Sequence, residues 1–549
     1  MSWKNFAPRF SLAYSPATEE GSWIHKLLGG AGKSAIRAGF GMYYDHFGQG
    51  IVSNFSRYGS FSLSTALTNP ASQFGVSDSP RYSGLHSIPA GVNPVPASTF
   101  SYPQGLAPGS FAITYGLDDH LKAPYSEVVD FSLQRELKGG FTFEAAYVGR
   151  FGRHMLQQMD LAQPLNLVDP KSGMDYYTAA TQLAMYSDQG RVSVPTIAYW
   201  ENMFPDAKGT GTYGDGVAGA SATQNIYNDF FTDDGGTNSA SNLYFGPLQS
   251  RGNETNMLYF FDLACYPGCG NSATPRFWPT QYSSLYAWSS VGSASYNAAQ
   301  FTLRHPMSHG IAVDFSYTIS RSIDMGSDTE SNASSGENNY GVIYDAFNPS
   351  KNRSVSDFDA THIMNADWVL ALPYGRGRKF GNQISRPLDF AFGGWQLTGI
   401  TRYSSGLPFT IFDGKGWTTN WEWESAMVQT APIKMRKHID ANGNMQAFDN
   451  PLTALSNMRL PYPGEAGERN KFRGDGFWGM DAGLHKTFSI TERSRFELAW
   501  ETFNVTNSAR FDPHSISSES TDGSQTGVYG KTYSAQQARR MQFSGRFSF

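Results

Sequence analysis

The chain closes with Ala538-Arg-Arg-Met-Gln-Phe-Ser-Gly-Arg-Phe-Ser-Phe549, and these residues decide how the rest is read. Met541, Phe543, Gly545, Phe547 and Phe549 fall on one face of an extended strand. Arg540, Gln542, Ser544, Arg546 and Ser548 fall on the other. Successive strand side chains point to opposite faces, so the segment is a ribbon with one apolar and one polar side. A soluble sandwich strand alternates too. Two arginines on the polar side, however, suit a wet lumen better than a packed core. If this ribbon is part of a membrane-spanning wall, every other segment must be a similar strand or a connection between two of them.

Composition agrees with such a wall. At 549 residues the chain exceeds the size at which one soluble core usually stops growing. Aromatic residues make up 15% and charged residues only 16%, against about 25% charged in an average soluble domain. The mean hydropathy is -0.41, and no long apolar run is present, which excludes a helical membrane span. Alternating barrel strands explain both facts, because their polar half dilutes the average. The net charge of -5 and pI near 6.1 give no nucleic-acid signal. Near Met1 there is no basic start followed by an apolar stretch and a cleavage site, so no secretion signal is visible.

The alternation recurs along the chain. Phe10, Leu12 and Tyr14 share a face, as do Ile36, Ala38, Phe40, Met42 and Tyr44. Val129, Phe131 and Leu133 lead through a tight turn at 136–140 into Phe143, Ala145 and Tyr147, which predicts a hairpin. Phe301 and Leu303 precede a turn at 305–310. Ile311, Val313, Phe315, Tyr317 and Ile319 then form the cleanest strand. Further strands are expected at 362–372, 395–403, 480–484 and 495–501. The connection from Arg150 to about 295 is the longest, with a short helix expected around Tyr177 to Tyr186. Short and long connections alternate, which predicts about eleven antiparallel strands with turns on one side and long external loops on the other.

Several segments together resemble the Oar-like branch of TonB-dependent outer-membrane receptors. They include Asn5-Phe-Ala-Pro-Arg-Phe10, Glu144-Ala-Ala-Tyr-Val-Gly149, Ser356-Asp-Phe-Asp-Ala-Thr-His362, Gly393-Gly-Trp-Gln-Leu-Thr-Gly399 and Phe503-Asn-Val-Thr-Asn507. The terminal strand, with Met541, Phe543, Phe547 and Phe549, is similar to the closing strand of bacterial outer-membrane barrels. The resemblance implies a barrel of about 22 strands around an N-terminal plug. It implies that residues 1–549 are the C-terminal part of that barrel, with signal peptide, plug and earlier strands lying elsewhere. It also implies outer-membrane lipid, the barrel-assembly machinery and the TonB complex as partners. The ligand stays open between carbohydrate, peptide, protein and metal chelate.

The candidate sites are few. Cys265 and Cys269, spaced C-x3-C in an expected external loop, suit a local disulfide in an oxidising compartment; a metal site would need ligands not visible nearby. Asp357, Asp359 and His362 could hold calcium through oxygen ligands, or be rim groups hydrogen-bonded to neighbouring strands. Trp417, Trp421 and Trp423 crowd one loop and could stack on a ligand or form a loop core. Arg495, Glu497, Glu501, Arg540 and Arg546 are expected to face the lumen. Glu422 and Glu424 carry no geometric sign of a glycosidase pair. No catalytic, cofactor or metal motif is found, so a receptor rather than an enzyme is expected. A structural or adhesive barrel and a secreted carbohydrate-binding protein are the alternatives.

Overall fold

The computed structural model describes residues 5–45, 113–209, 219–231, 258, 276–278, 284–327, 342–417, 420–516, 527–530 and 538–549. One antiparallel sheet dominates. Its path runs through β1 (Arg9–Tyr14), β2 (Ser34–Tyr44), β3 (Tyr125–Glu136), β4 (Thr142–Asp160), β5 (Ser284–Ser308) and β6 (Ile311–Asp324). It continues through β7 (His362–Ala371), β8 (Trp395–Ser404), β9 (Phe477–Ser489), β10 (Arg495–Phe503) and β11 (Arg540–Ser548). Each strand pairs with its sequence neighbours, so the sheet is a meander. Among the described residues the outer edges of β1 and β11 are unpaired and the sheet is not closed.

Register carries the sequence alternation across the sheet. Tyr14, Ile36, Leu133, Ala145, Phe301, Tyr317, Met364, Tyr403 and Trp478 form one continuous row. Ile311, Leu370, Leu397, Leu484, Trp500 and Phe543 form another. A slip of one residue in a strand would break each row that crosses it, because every side chain would change face. Gly399 has a specific reason to lack a side chain. A Cβ there would lie 2.2 Å from the Trp368 indole, which lies over the neighbouring strand.

The apolar rows are not buried. Phe10 is 71% exposed, Phe131 50% and Phe543 74%. An uncovered apolar surface of this extent marks a membrane-facing wall rather than a core. Terminal Phe549 is 96% exposed beside Phe547.

The short connections behave as the sequence predicts. His309 and Gly310 both have positive φ, 52° and 85°, between paired Ser308 and Ile311. That conformation at both central residues is the type I′ hairpin turn, whose twist matches that of the strands. The connection between β7 and β8 carries the helix Arg386–Phe392, and the Lys486 ammonium donates to the carbonyls of Ala391 and Gly393 at its end.

The longest connection is shorter than the sequence suggests. Strand pairing continues to Asp160 in β4 and starts at Ser284 in β5. The expected boundaries at 150 and 295 are therefore corrected. Beyond an irregularity between Gly152 and Gln157, the run Leu156–Asp160 is buried throughout. A strand covered on both faces loses its period of two, so alternation could not report it.

Candidate functional site: a polar trough under an outer cap

The polar side of the sheet carries a local hollow. A concavity of about 740 Å³ lies on this face, where Arg304, Asp314, Asp367, Asp481 and Glu501 stand among the apolar Ala312, Val369, Ile400 and Phe503. Arg304 and Asp314 lie 3.3 Å apart, and Arg402 and Asp481 3.8 Å. The five residues expected in the lumen fall on this face. Glu497 pairs with Arg546, Glu501 with Gln542, Arg495 with Ser548 and Phe503 with Arg540. The Gln542 amide donates to the Glu501 carboxylate. Half-exposed ion pairs of this kind contribute little stability, about 0–1 kcal/mol each. Their effect is to keep this face of the sheet charged.

The long connections fold at the opposite end from the short turns. The first forms an aromatic core from the helices Tyr176–Asp188, Ala198–Met203 and Ala222–Phe230. Asp175 caps the first helix, its carboxylate accepting the N–H of Thr178 at 2.8 Å. Ser221 caps the third in the same way for Gln224 at 3.1 Å. Trp200, fully buried, meets Tyr199 edge-on at 4.9 Å. The helix expected around Tyr177 to Tyr186 is the first of these. Leu258, from the apolar run at 257–261, is buried in the same core, and the rest of that run lies outside the described residues.

A second core joins Phe409, Ile411, Phe448, Met458 and Phe472. Beside it the strands Phe412–Trp417 and Asn420–Ala426 form a hairpin. Trp417, Trp421 and Trp423 lie on this hairpin, and their side chains lie outside the description. Cys265 and Cys269 also lie outside the described residues.

The Asp357, Asp359 and His362 group is resolved in favour of the rim reading. Asp357 receives Arg469 at 3.1 Å and Asn470 at 2.6 Å. Asp359 pairs with Arg473. The His362 ring meets the Tyr317 hydroxyl at 2.8 Å. The carboxylates are thus engaged by arginines rather than gathered for a cation. Arg469 also reaches Asp324, at the end of β6, at 2.8 Å. Burial alone would push the Arg469 guanidinium down, but the Asp357 and Asp324 carboxylates more than reverse this and raise it. Sequence reading found the acids and missed the arginines, which sit over a hundred positions later without any local signal.

Asp160, at the outer tip of β4, is a fully buried acid for which no ion pair is seen among the described residues. Its Oδ1 accepts the N–H groups of Ala162 (2.9 Å) and Leu285 (2.8 Å), while Oδ2 has no partner. Burial pushes its carboxyl up to about 6, against the opposing pull of those hydrogen bonds and, more weakly, of the nearby Ser284 hydroxyl. The folded state therefore holds the proton more tightly than the unfolded state. Its favourable contribution is present below the ordinary aspartate range and is lost as pH rises through about 6. Asp160→Asn is expected to stabilise the cap at pH 7.5 by ~1–3 kcal/mol and to flatten its pH dependence between 4 and 6. Thermal unfolding followed by tryptophan fluorescence at pH 5 and 7.5 checks this. An unchanged pH slope would contradict it.

Among curated proteins, none matches the chain. Similar solved structures include the outer membrane transporter YddB from Escherichia coli, at 9% identity and TM-score 0.33, covering 94% of this chain and 38% of that one. The siderophore receptor PiuA from Acinetobacter baumannii gives 6% identity and TM-score 0.34, covering 98% and 35%. The FrpB iron transporter from Neisseria meningitidis gives 8% identity and TM-score 0.32, covering 99% and 39%. The chain thus spans well under half the length of each, and likeness at this level carries no argument about ligand. The wall of exposed apolar rows, the polar trough behind it and the cap at one end agree with the sequence profile that does match. That profile, the outer membrane beta barrel domain, covers residues 1–542, so the chain belongs to this family and its place is the bacterial outer membrane.

Proposed function

We propose that the chain is the C-terminal part of a TonB-dependent receptor, in which long external loops capture a scarce ligand and a plugged lumen admits it. The observation that supports this reading is the juxtaposition of a wall whose inner face carries ion pairs with long connections that have their own cores. A passive wall would need only short loops. In the proposal, about 22 strands close the barrel, and an N-terminal plug, contacted by Arg304, Asp314 and Asp481, links it to the TonB complex. Met541, Phe543, Phe547 and Phe549 form the closing strand recognised by the barrel-assembly machinery. Trp417, Trp421 and Trp423 offer ring faces to the ligand, and Cys265 and Cys269 form a disulfide in the cap. No catalytic step, cofactor or metal is part of this reading. The ligand is a carbohydrate, peptide, protein or metal chelate.

The test is genetic. Strains lacking the gene are grown on a panel of scarce carbon and iron sources, beside strains lacking TonB function. A growth defect shared by both strains on one nutrient is expected, reproduced by removing the hairpin at 412–426. Normal growth on every nutrient, combined with lost surface attachment, would instead establish the adhesive reading.

A further inference from the structure

The outer wall carries two arginines just above its aromatic girdle, and neither has a carboxylate partner among the described residues. The girdle spans two adjacent rows of the outer face: Tyr147, whose hydroxyl donates to Asn297 at 2.8 Å, and His362 stand in one, and Tyr317, Tyr403 and Trp478 in the other. Tyrosine and tryptophan at this level mark the boundary between lipid tails and headgroups. Arg321 stands directly opposite Asn297 on β6, on the same face as Tyr317 and Ile319, and is exposed. One pair further out, Ser295 faces Ile323. The guanidinium of Arg353 reaches Ser295 at 3.3 Å and Ser293 at 3.4 Å. Alternation from Phe301 through Ala299 and Asn297 puts Ser295 on the lipid side. Arg353 is therefore held against the outside of the wall, not in the trough.

Arg353 also lines a small cup of about 220 Å³, with Lys351, Arg469, Lys471 and the carboxylate of Glu468. Lys351 is balanced by Asp345 at 2.7 Å and Lys471 by Glu468 at 2.6 Å. Arg469 is buried, and its Nε–H has no hydrogen-bond partner although its other nitrogens do. A buried unpaired donor at a charged cup is the kind of group that an anion's oxygen would satisfy. Three of the cup's cations, Lys351, Lys471 and Arg469, are matched by carboxylates, so Arg353, bonded only to the two serine hydroxyls, brings the cation without a carboxylate partner and joins the cup to the headgroup level.

We propose that Arg321 and Arg353, with the cup behind them, bind the phosphate groups of an outer-leaflet lipid headgroup. The assignment rests on the outer-membrane placement and not on the identity of the transported ligand. Headgroup phosphates lie at the depth where the two guanidinium groups sit, and guanidinium matches a phosphate through paired N–H donors. A lipid held there would bridge β5, β6 and the loop of residues 342–361, so that the first layer of bound lipid becomes part of the cap's foundation.

The test uses the full chain as extracted from the outer membrane in detergent. Native mass spectrometry counts retained lipid after addition of lipid A carrying its phosphates, or of the same lipid with its phosphates removed. Phosphorylated lipid is expected to be retained preferentially. Arg321→Gln with Arg353→Gln should weaken retention by roughly 30-fold, about fivefold for each arginine near the headgroup layer. Arg321→Lys with Arg353→Lys keeps the charge and should retain binding within a few fold, which separates loss of the site from loss of folding. Arg153→Gln, which alters an outer arginine already 4.0 Å from Glu127, should change nothing. Equal retention of phosphorylated and phosphate-free lipid would overturn the proposal. So would unaltered retention in the double glutamine variant. Displacement of the lipid by inorganic phosphate at equal concentration would overturn the lipid source and assign the cup to a free anion.

Discussion

Arg469→Ala is expected to detach the outer loops from the rim. Arg469 is buried and joins three separate segments. It donates to Asp324 at the end of β6, to Asp357 in the connection before β7, and to the carbonyl of Asn352. Removing the guanidinium leaves two carboxylates facing each other in a buried site without a cation. Breaking a buried pair in this way costs about 3–5 kcal/mol, far more than the loss of a surface pair. Local opening of residues 342–361 and 468–473 should therefore increase by roughly 10²- to 10³-fold, read by amide hydrogen exchange. Arg469→Lys should fall between, because one ammonium cannot span the same acceptors. Replacing the trio together, with Arg469→Met, Asp324→Leu and Asp357→Leu, should recover most of the loss, since no charge then stays buried. If the single alanine variant exchanged like the unaltered chain, the clamp would have no energetic role.

Trp200→Ala should dissolve the first core of the cap while leaving the wall intact. Trp200 is fully buried among Tyr176, Tyr199 and Phe204, with ring centroids 6.1, 4.9 and 5.9 Å away. Truncating a buried tryptophan costs about 3–5 kcal/mol through lost transfer energy and the cavity left behind. Its three neighbours lose their packing surface together, because each touches the indole. Limited proteolysis should cut within residues 161–283 at least tenfold faster in the variant. The β-sheet signal in far-ultraviolet circular dichroism should not change, because the strands of the wall are held by pairing with one another. Loss of that signal would mean that the cap and wall fold as one unit.

The wall was legible in the sequence and the cap was not. Ile311 to Ile319 alternates because one side meets lipid and the other water, and any reader of the chain sees that period. The same rule fails at Leu156 to Asp160, where both faces are covered and polar Gln157, Gln158 and Asp160 are buried beside apolar neighbours. The helix at Tyr176–Asp188 could be placed because its cap and composition are local. Its packing against Trp200 and Phe277 could not, since those contacts span long loops with no periodic signal. Acidic Asp357 and Asp359 were visible as a cluster. Their meaning depended on Arg469 and Arg473, which nothing nearby announces. Chemistry made by distant partners is what a single sequence conceals.

The prolonged hairpin of β4 and β5 has a mechanical consequence. Its strand pairing runs from the membrane wall to Asp160 opposite Tyr286, interrupted by an irregularity between Gly152 and Gln157, and the helical core begins beyond it. About eight residues beyond Gly152, at ~3.3 Å each, carry that core some 26 Å outward on a stiff post. A head mounted this way can bend relative to the staves beneath it only where the ladder is interrupted, between Gly152 and Gln157. Any force that reaches it, from a captured cargo or a neighbouring cell, is delivered straight into the two staves that support it.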